Sequence, residues 1–381
     1  MTISNQHQQE SLSSFRLPPY PYDLLDKIKN LAKQKFGSVI DLSIGTPGDP
    51  PPASVVQALN DPSTLRGYPA SKGSESFRFA ASKWMSNSFN VEIAPSDIGA
   101  CIGTKEFVAS VPQWLRLANP SKDTILFPSL SYPTYAMGAT LGGCRAVPIG
   151  IDSNWRLDLG SISKQDIERS LAIWVNSPGN PAGQVEDLES IVKWAQANDI
   201  PVFSDECYSE FSWTTHPKTA LSYGTKGVVS VHSVSKRSNL AGVRAGFYAG
   251  DPELVNYLVE VRKHGGLMVP GPVQNWARIA LLDQQHVNHQ RDLYIERLKM
   301  FSALLDSYGT SGPLPEGGIY LWKKIPSRFA SSWDFVEQFA LDTGALVSPG
   351  DLYGQDGQGY VRVAMVQSMQ LLDLVAQRIG S

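Results

Sequence analysis

Hydrophobic positions along the chain fall into two alternating patterns. Short apolar or β-branched runs at residues 39–42, 98–102, 124–127, 172–175, 201–204, 228–232 and 246–249 have the length and composition of buried strands. Between several of them lie stretches of helical period; within 187–198, Leu188, Ile191, Val192 and Ala195 recur at i, i+3, i+4 spacing and define one apolar face. This alternation predicts an α/β fold, with a mostly parallel central sheet covered by helices on both faces. Near the start, Leu24, Leu25, Ile28 and Leu31 predict the inner face of an amphipathic helix whose wet face carries Lys27, Lys29, Lys33 and Lys35. Beyond residue 270 the pattern changes to one long helix over 273–305, followed by short elements at 319–322, 333–341 and 360–365 that predict a smaller α+β unit.

Composition narrows the class of partner. The 381 residues are 42% hydrophobic and 18% charged, ordinary for a compact soluble protein, and the net charge of −3 excludes a general nucleic-acid binder. Small metabolites are the expected ligands. Three widely spaced cysteines, Cys101, Cys144 and Cys207, give neither a disulfide framework nor a zinc motif, which fits a reducing cytoplasm. The polar, glutamine-rich start (Met1 to Arg16) is no signal peptide, and no apolar run is long enough to span a membrane. His286 and His289 lack a carboxylate or cysteine at ligand spacing, so no metal site is expected.

Candidate chemistry gathers where predicted strands end, the side on which open α/β sheets bind ligands. The run from Ser233 to Arg244 puts Lys236 behind Ser233 and Ser235 and eight residues ahead of Arg244. Hydroxyls and a guanidinium hold phosphate, and a lysine deprived of its charge by burial forms Schiff bases. Gly103-Thr104-Lys105 follows a strand and opens a helix, where backbone N–H groups bind anions. Asn180 sits in a loop dense in turn formers, placed to donate to a ring oxygen. Asp205 ends an apolar strand, where a carboxylate needs a positive partner such as a pyridinium nitrogen, and Tyr208 stands three residues on. Tyr132 is placed to stack on a ring, and Arg362 in an alternating strand is either a structural ion pair or a carboxylate clamp. Taken singly, each has an ordinary structural reading as a turn, a cap or a core residue.

Together, in this order, they resemble the pyridoxal-phosphate aminotransferases of fold type I (class I/II) over nearly the whole chain. The resemblance implies an N-terminal arm (1–20), a large cofactor-binding domain (46–272) and a small domain built from 21–45 and 273–381. It implies that Lys236 forms the Schiff base with pyridoxal 5'-phosphate, that Asp205 pairs with the ring nitrogen, and that Asn180 and Tyr208 hold the phenolic oxygen. Tyr132 would stack on the ring. Gly103, Thr104, Lys105, Ser233, Ser235 and Arg244 would take the phosphate, Tyr68 would reach across from the second subunit of a homodimer, and Arg362 with Gly45 would grip the substrate carboxylate.

Within that family, residues 204–208, 235–239, 262–266 and 349–354 resemble N-succinyldiaminopimelate aminotransferases of lysine and diaminopimelate biosynthesis, which transfer an amino group to 2-oxoglutarate. A distal carboxylate on such a substrate calls for another cation, for which Arg237 and Lys263 are the candidates. Three features depart from the family pattern: Ala182 stands for threonine, Phe77 for leucine, and two extra residues before Tyr132 make Leu130 a rival for the stacking position. Other readings share the constellation: an aminotransferase for aspartate, aromatic amino acids or unacylated diaminopimelate, and a pyridoxal-phosphate β-lyase. A ligand-sensing regulator would need a basic DNA-binding segment that residues 1–40 do not supply.

Overall fold

The computed structural model describes residues 17–379, so residues 1–16 of the expected arm lie outside the described residues. Its twelve strands in chain order are β1 (Ile40–Asp41), β2 (Ile98–Cys101), β3 (Thr124–Pro128), β4 (Arg145–Ile149), β5 (Ser170–Asn176) and β6 (Val202–Asp205), then β7 (Val228–Ser233), β8 (Gly246–Gly250), β9 (Tyr320–Lys324), β10 (Ala345–Leu346), β11 (Ser348–Pro349) and β12 (Tyr360–Ala364).

Seven of them form the central sheet in the order β2-β8-β7-β6-β5-β3-β4. β8 runs antiparallel to both its neighbours, and the other pairings are parallel. The α/β architecture predicted from the alternation is therefore the one observed. Every residue of the central strand β5 is buried, as expected where helices cover both faces. Strand β4 escaped the sequence pattern because it is an edge strand: it carries Pro148, alternates little, and leaves Arg145 and Pro148 exposed. The first predicted strand does form, but outside the central sheet, paired in parallel with β10.

Helices follow the predicted phases with two corrections. The stretch expected as one helix is two, Gly271–Leu282 and Gln284–Ser307, because Asp283 leaves helical geometry and accepts from the His286 N–H as the cap of the second. In the early helix (Asp26–Phe36), Ile28 and Ala32 face inward; in the 3-10 turn that leads into it, Leu25 is buried while Leu24 is 47% exposed. The helical phase therefore passes through 25, 28 and 32, and Leu24 falls off the inner face.

Two sets of apolar residues cover the faces of the central sheet. A further core unites the chain's beginning and end, from Leu25, Ile28 and Leu42 to Phe301, Phe335, Phe339, Val361 and Leu372. Leu42 ties it together on the backbone, its N–H donating to Leu346 O and its carbonyl accepting from the Ala364 N–H, each at 2.8 Å. The carboxyl ends of β5, β6 and β7 open toward β12 of this second core, and the site lies between them. Phe339 is fully buried there, with Tyr308 and Phe335 at ring distances of 5.3 and 5.7 Å. Phe339→Ala is expected to cost about 3–5 kcal/mol, read as a lower urea midpoint at unchanged slope; an unchanged midpoint would contradict this packing.

Candidate active site

A cavity of about 440 Å³ brings together Gly45, Thr104, Lys105, Tyr132, Asn180, Asp205, Tyr208, Ser233, Ser235, Lys236, Arg244 and Arg362. Strand register explains much of the convergence. Asn176 ends β5 opposite Asp205 at the end of β6, and its side chain fastens the next loop, donating to Asp205 O (2.9 Å) and accepting from the Asn180 N–H (2.8 Å). The Asn180 side chain is thereby delivered to Arg362, whose Nη1 donates to its Oδ1 at 2.8 Å.

Lys236 lies on a single helical turn, Val234–Arg237, that begins where β7 stops. Ser233 caps this turn, its Oγ accepting from the Ser235 N–H at 3.0 Å. Lys236 Nζ donates to the Gly45 carbonyl. Burial pulls the lysine down to about 8; the Arg362 and Arg244 cations push the same way, against an opposing pull from Cys207. Near neutrality a useful fraction is therefore the free amine, the form that attacks carbonyls and takes protons.

Asp205 turns its carboxyl into the cavity and accepts from Tyr135 Oη (2.8 Å) and the Cys207 N–H (3.2 Å). Burial raises its pKa while these hydrogen bonds hold it back. It has no ion-pair partner among the described residues, so a cationic ring N–H would satisfy it. At the opposite corner Gly103, with φ 72°, precedes the helix Thr104–Ala118. A Cβ there would lie 2.2 Å from Arg244 Nη2, so glycine makes room for the guanidinium beside the free helix N-terminus. Anion corner, amine and carboxyl together match the phosphate, aldehyde and ring nitrogen of pyridoxal phosphate.

Arg362 is 1% exposed. Its Nη2 donates to Ser43 O, and its guanidinium lies 4.2 Å from the Tyr320 ring centre and 4.7 Å from that of Tyr353. Its Nε has no hydrogen-bond partner among the described residues. The open edge of this planar fork is suited to a carboxylate.

Several expected residues lie elsewhere. Arg237 does not face the cavity; its buried guanidinium pairs with Glu210 and donates to Ala280 O (2.7 Å) and Ser238 Oγ (3.0 Å). Consecutive residues of a helical turn diverge by about 100°, so a cavity-facing Lys236 sends Arg237 into the core. Lys263 is exposed beside Glu260 (3.6 Å). Tyr68 is 98% exposed and outside the cavity of its own chain. Tyr132 lines the cavity, whereas Leu130 packs with Trp322 and Tyr353. His286 bonds to Ser238 Oγ (2.9 Å), and no cluster of three metal-binding side chains occurs among the described residues.

Sequence reasoning missed four tyrosines. Tyr135 reaches Asp205, Tyr320 touches Tyr208 and Arg362, and Tyr20 and Tyr22 line the mouth. Tyr135 had a faint signal, one helical turn from Tyr132; the others had none.

A mostly parallel sheet carrying a neutralisable lysine, an anion corner and a buried arginine at its strand ends fits an enzyme of amino-group chemistry. More narrowly, the chain belongs to the class I and II aminotransferases, a generally pyridoxal-phosphate-dependent family whose model matches residues 37–379. It is 37% identical to 4-dedimethylamino-4-oxo-anhydrotetracycline transaminase OxyQ of Streptomyces rimosus, over 95% of this chain and 99% of that one. It is 33% identical to LL-diaminopimelate aminotransferase of Aquifex aeolicus, over 95% and 96% respectively. Among solved structures it resembles a probable N-succinyldiaminopimelate aminotransferase from Thermus thermophilus, with TM-score 0.84, 27% identity and coverage of 94% and 99%.

In the cofactor-free chain, labelling of Lys236 by an amine-selective reagent should rise with pH through a midpoint of about 8. The folded pKa lies below the unfolded value of 10.5, so this group's contribution to stability rises with pH between the two. A midpoint above 10, followed by peptide mapping, would contradict the buried placement.

Proposed function

We propose that this aminotransferase binds pyridoxal 5'-phosphate in the cavity and moves an amino group between a diaminopimelate-type amino acid, N-succinylated in the favoured case, and 2-oxoglutarate. The carrying observation is the convergence of Lys236, Asp205 and Arg362 on one cavity at the strand ends. When bound, the cofactor supplies the electron sink that stabilises negative charge at the substrate Cα.

The chain's own residues supply the rest. Lys236 would be the attachment point, and its Nζ, as the free amine, would move the Cα proton. Asp205, oriented by Tyr135 and the Cys207 N–H, would hold the proton of the ring nitrogen. Asn180 and Tyr208 would orient the phenolic oxygen, and Tyr132 would stack on the ring. Ser233, Ser235, Arg244 and the N–H groups of Thr104 and Lys105 would hold the phosphate, at a corner that Gly103 leaves open. Arg362, with the Gly45 backbone beside it, holds the α-carboxylate. Tyr68, exposed here, completes the partner's site in a cytoplasmic homodimer.

For the distal carboxylate, Lys105 replaces Arg237 as the cation of choice. Its ammonium stands at the mouth, 2.8 Å from Tyr20 Oη and 4.5 Å from that ring's centre. The relatives named for diaminopimelate support this substrate class. A second reading, a polycyclic ketone as amino acceptor, is favoured by the relative named for a tetracycline intermediate and by the tyrosines at the mouth.

A half-reaction screen decides between them. The absorbance of the bound cofactor should change with glutamate and with N-succinyl-LL-diaminopimelate, and kinetics should be ping-pong. No change with glutamate would sink the assignment, and release of pyruvate from a cysteine conjugate without a keto acid would replace it with a lyase. Lys236→Ala should slow proton transfer by about 10²–10⁴-fold. Lys105→Gln should raise KM for dicarboxylic substrates about tenfold while sparing neutral ones; equal effects on both would remove Lys105 from the distal site.

A further inference from the structure

Tyr320 is the cavity residue whose contacts the assigned roles leave unused. It opens β9, two residues before Trp322, which is the register partner of Arg362 on β12. Its side chain therefore projects to the same side as the arginine's neighbourhood and is almost fully buried.

Three contacts meet on this one side chain. The hydroxyl lies 2.8 Å from Tyr208 Oη. The ring face lies 4.2 Å from the Arg362 guanidinium, within cation–π range. The hydroxyl also occupies the space beside Gly45, where a Cβ would come to 2.0 Å from Tyr320 Oη. The carbonyl of that same glycine accepts from Lys236 Nζ. One phenol thus touches the residue assigned to the cofactor oxygen, the residue assigned to the substrate carboxylate and the segment that holds the lysine.

We propose that Tyr320 is a positioning residue joining the two ends of the site: its hydroxyl sets Tyr208, and its ring face sets the plane of Arg362. The two functions reside in different atoms and are separable. When the Tyr320 hydroxyl donates in this pair, the Tyr208 proton is free to point toward the cofactor oxygen, and when Tyr208 donates it is not. The ring shields one guanidinium face and leaves the edge as the route for a carboxylate. When a substrate carboxylate occupies that edge, the arginine's pull on both phenols weakens, so carboxylate binding is felt at the Tyr208–Tyr320 pair.

The proposal rests on the aminotransferase reading above, and the test separates the two. Wild-type chain, Tyr320→Phe and Tyr320→Leu, each loaded with pyridoxal phosphate, are compared in the glutamate half-reaction. Calorimetry with succinate, which binds without reacting, reads carboxylate affinity independently of turnover. Tyr320→Phe keeps the ring and loses the hydroxyl, so kcat should fall about tenfold with KM and succinate affinity near wild type. Tyr320→Leu loses both, so succinate affinity should also fall about tenfold. The pH-dependent absorbance change of the bound cofactor should shift on adding succinate in wild type, and less in Tyr320→Phe. An unchanged kcat in Tyr320→Phe, or equal losses of succinate affinity in the two variants, overturns the proposal. Absence of turnover in the wild type overturns the aminotransferase substrate reading instead.

Discussion

A buried arginine with no carboxylate partner organises this site. Arg362 has lost its water, and among the described residues its partners are the Asn180 amide oxygen, the Ser43 carbonyl and aromatic faces. Neutral acceptors offset the loss of hydration only in part, so the pocket retains a demand for an anion. The same uncompensated cation adds to the burial that pulls Lys236 toward neutrality. The substrate carboxylate proposed for this cavity would supply that counter-charge.

The surrounding polar groups are kept in tension by the same absence of water. Asp205 and Lys236 both sit where burial opposes their charged forms, in opposite directions. Close in the fold yet without an ion pair between them, each remains available to a ligand. The contrast is the Arg237–Glu210 pair on the other side of the same turn, where a buried cation and a buried carboxylate satisfy each other. Loss of hydration depresses one half-buried lysine while a neighbouring buried arginine is locked in structure, and the direction of a side chain decides which becomes reactive.

Much of this was legible in the chain. Strand and helix patterns are local: the period of apolar residues and the turn formers after each strand are dictated by neighbours in sequence. Hence β5, β6, β7 and the helix Leu188–Ala197 formed close to their predicted limits, and Lys236, Asp205 and Asn180, attached to strand ends, came together. Local rules also explain the misses. Edge strand β4 has the composition of a loop, and Asp283 splits a helix whose apolar period runs straight through it.

Sequence by itself determined the α/β class, the strand ends at which chemistry gathers and the lysine on which it centres, because backbone geometry and motif spacing are short-range properties. Only tertiary structure decided which cation faces the cavity. Arg237 and Lys236 are neighbours in sequence but opposite in direction, and Lys105 gained the mouth through Tyr20. It alone disclosed Tyr135, 70 residues from the aspartate it supports, and Tyr320, 112 residues from Tyr208. Such contacts depend on how elements far apart in sequence pack together, which no local pattern encodes.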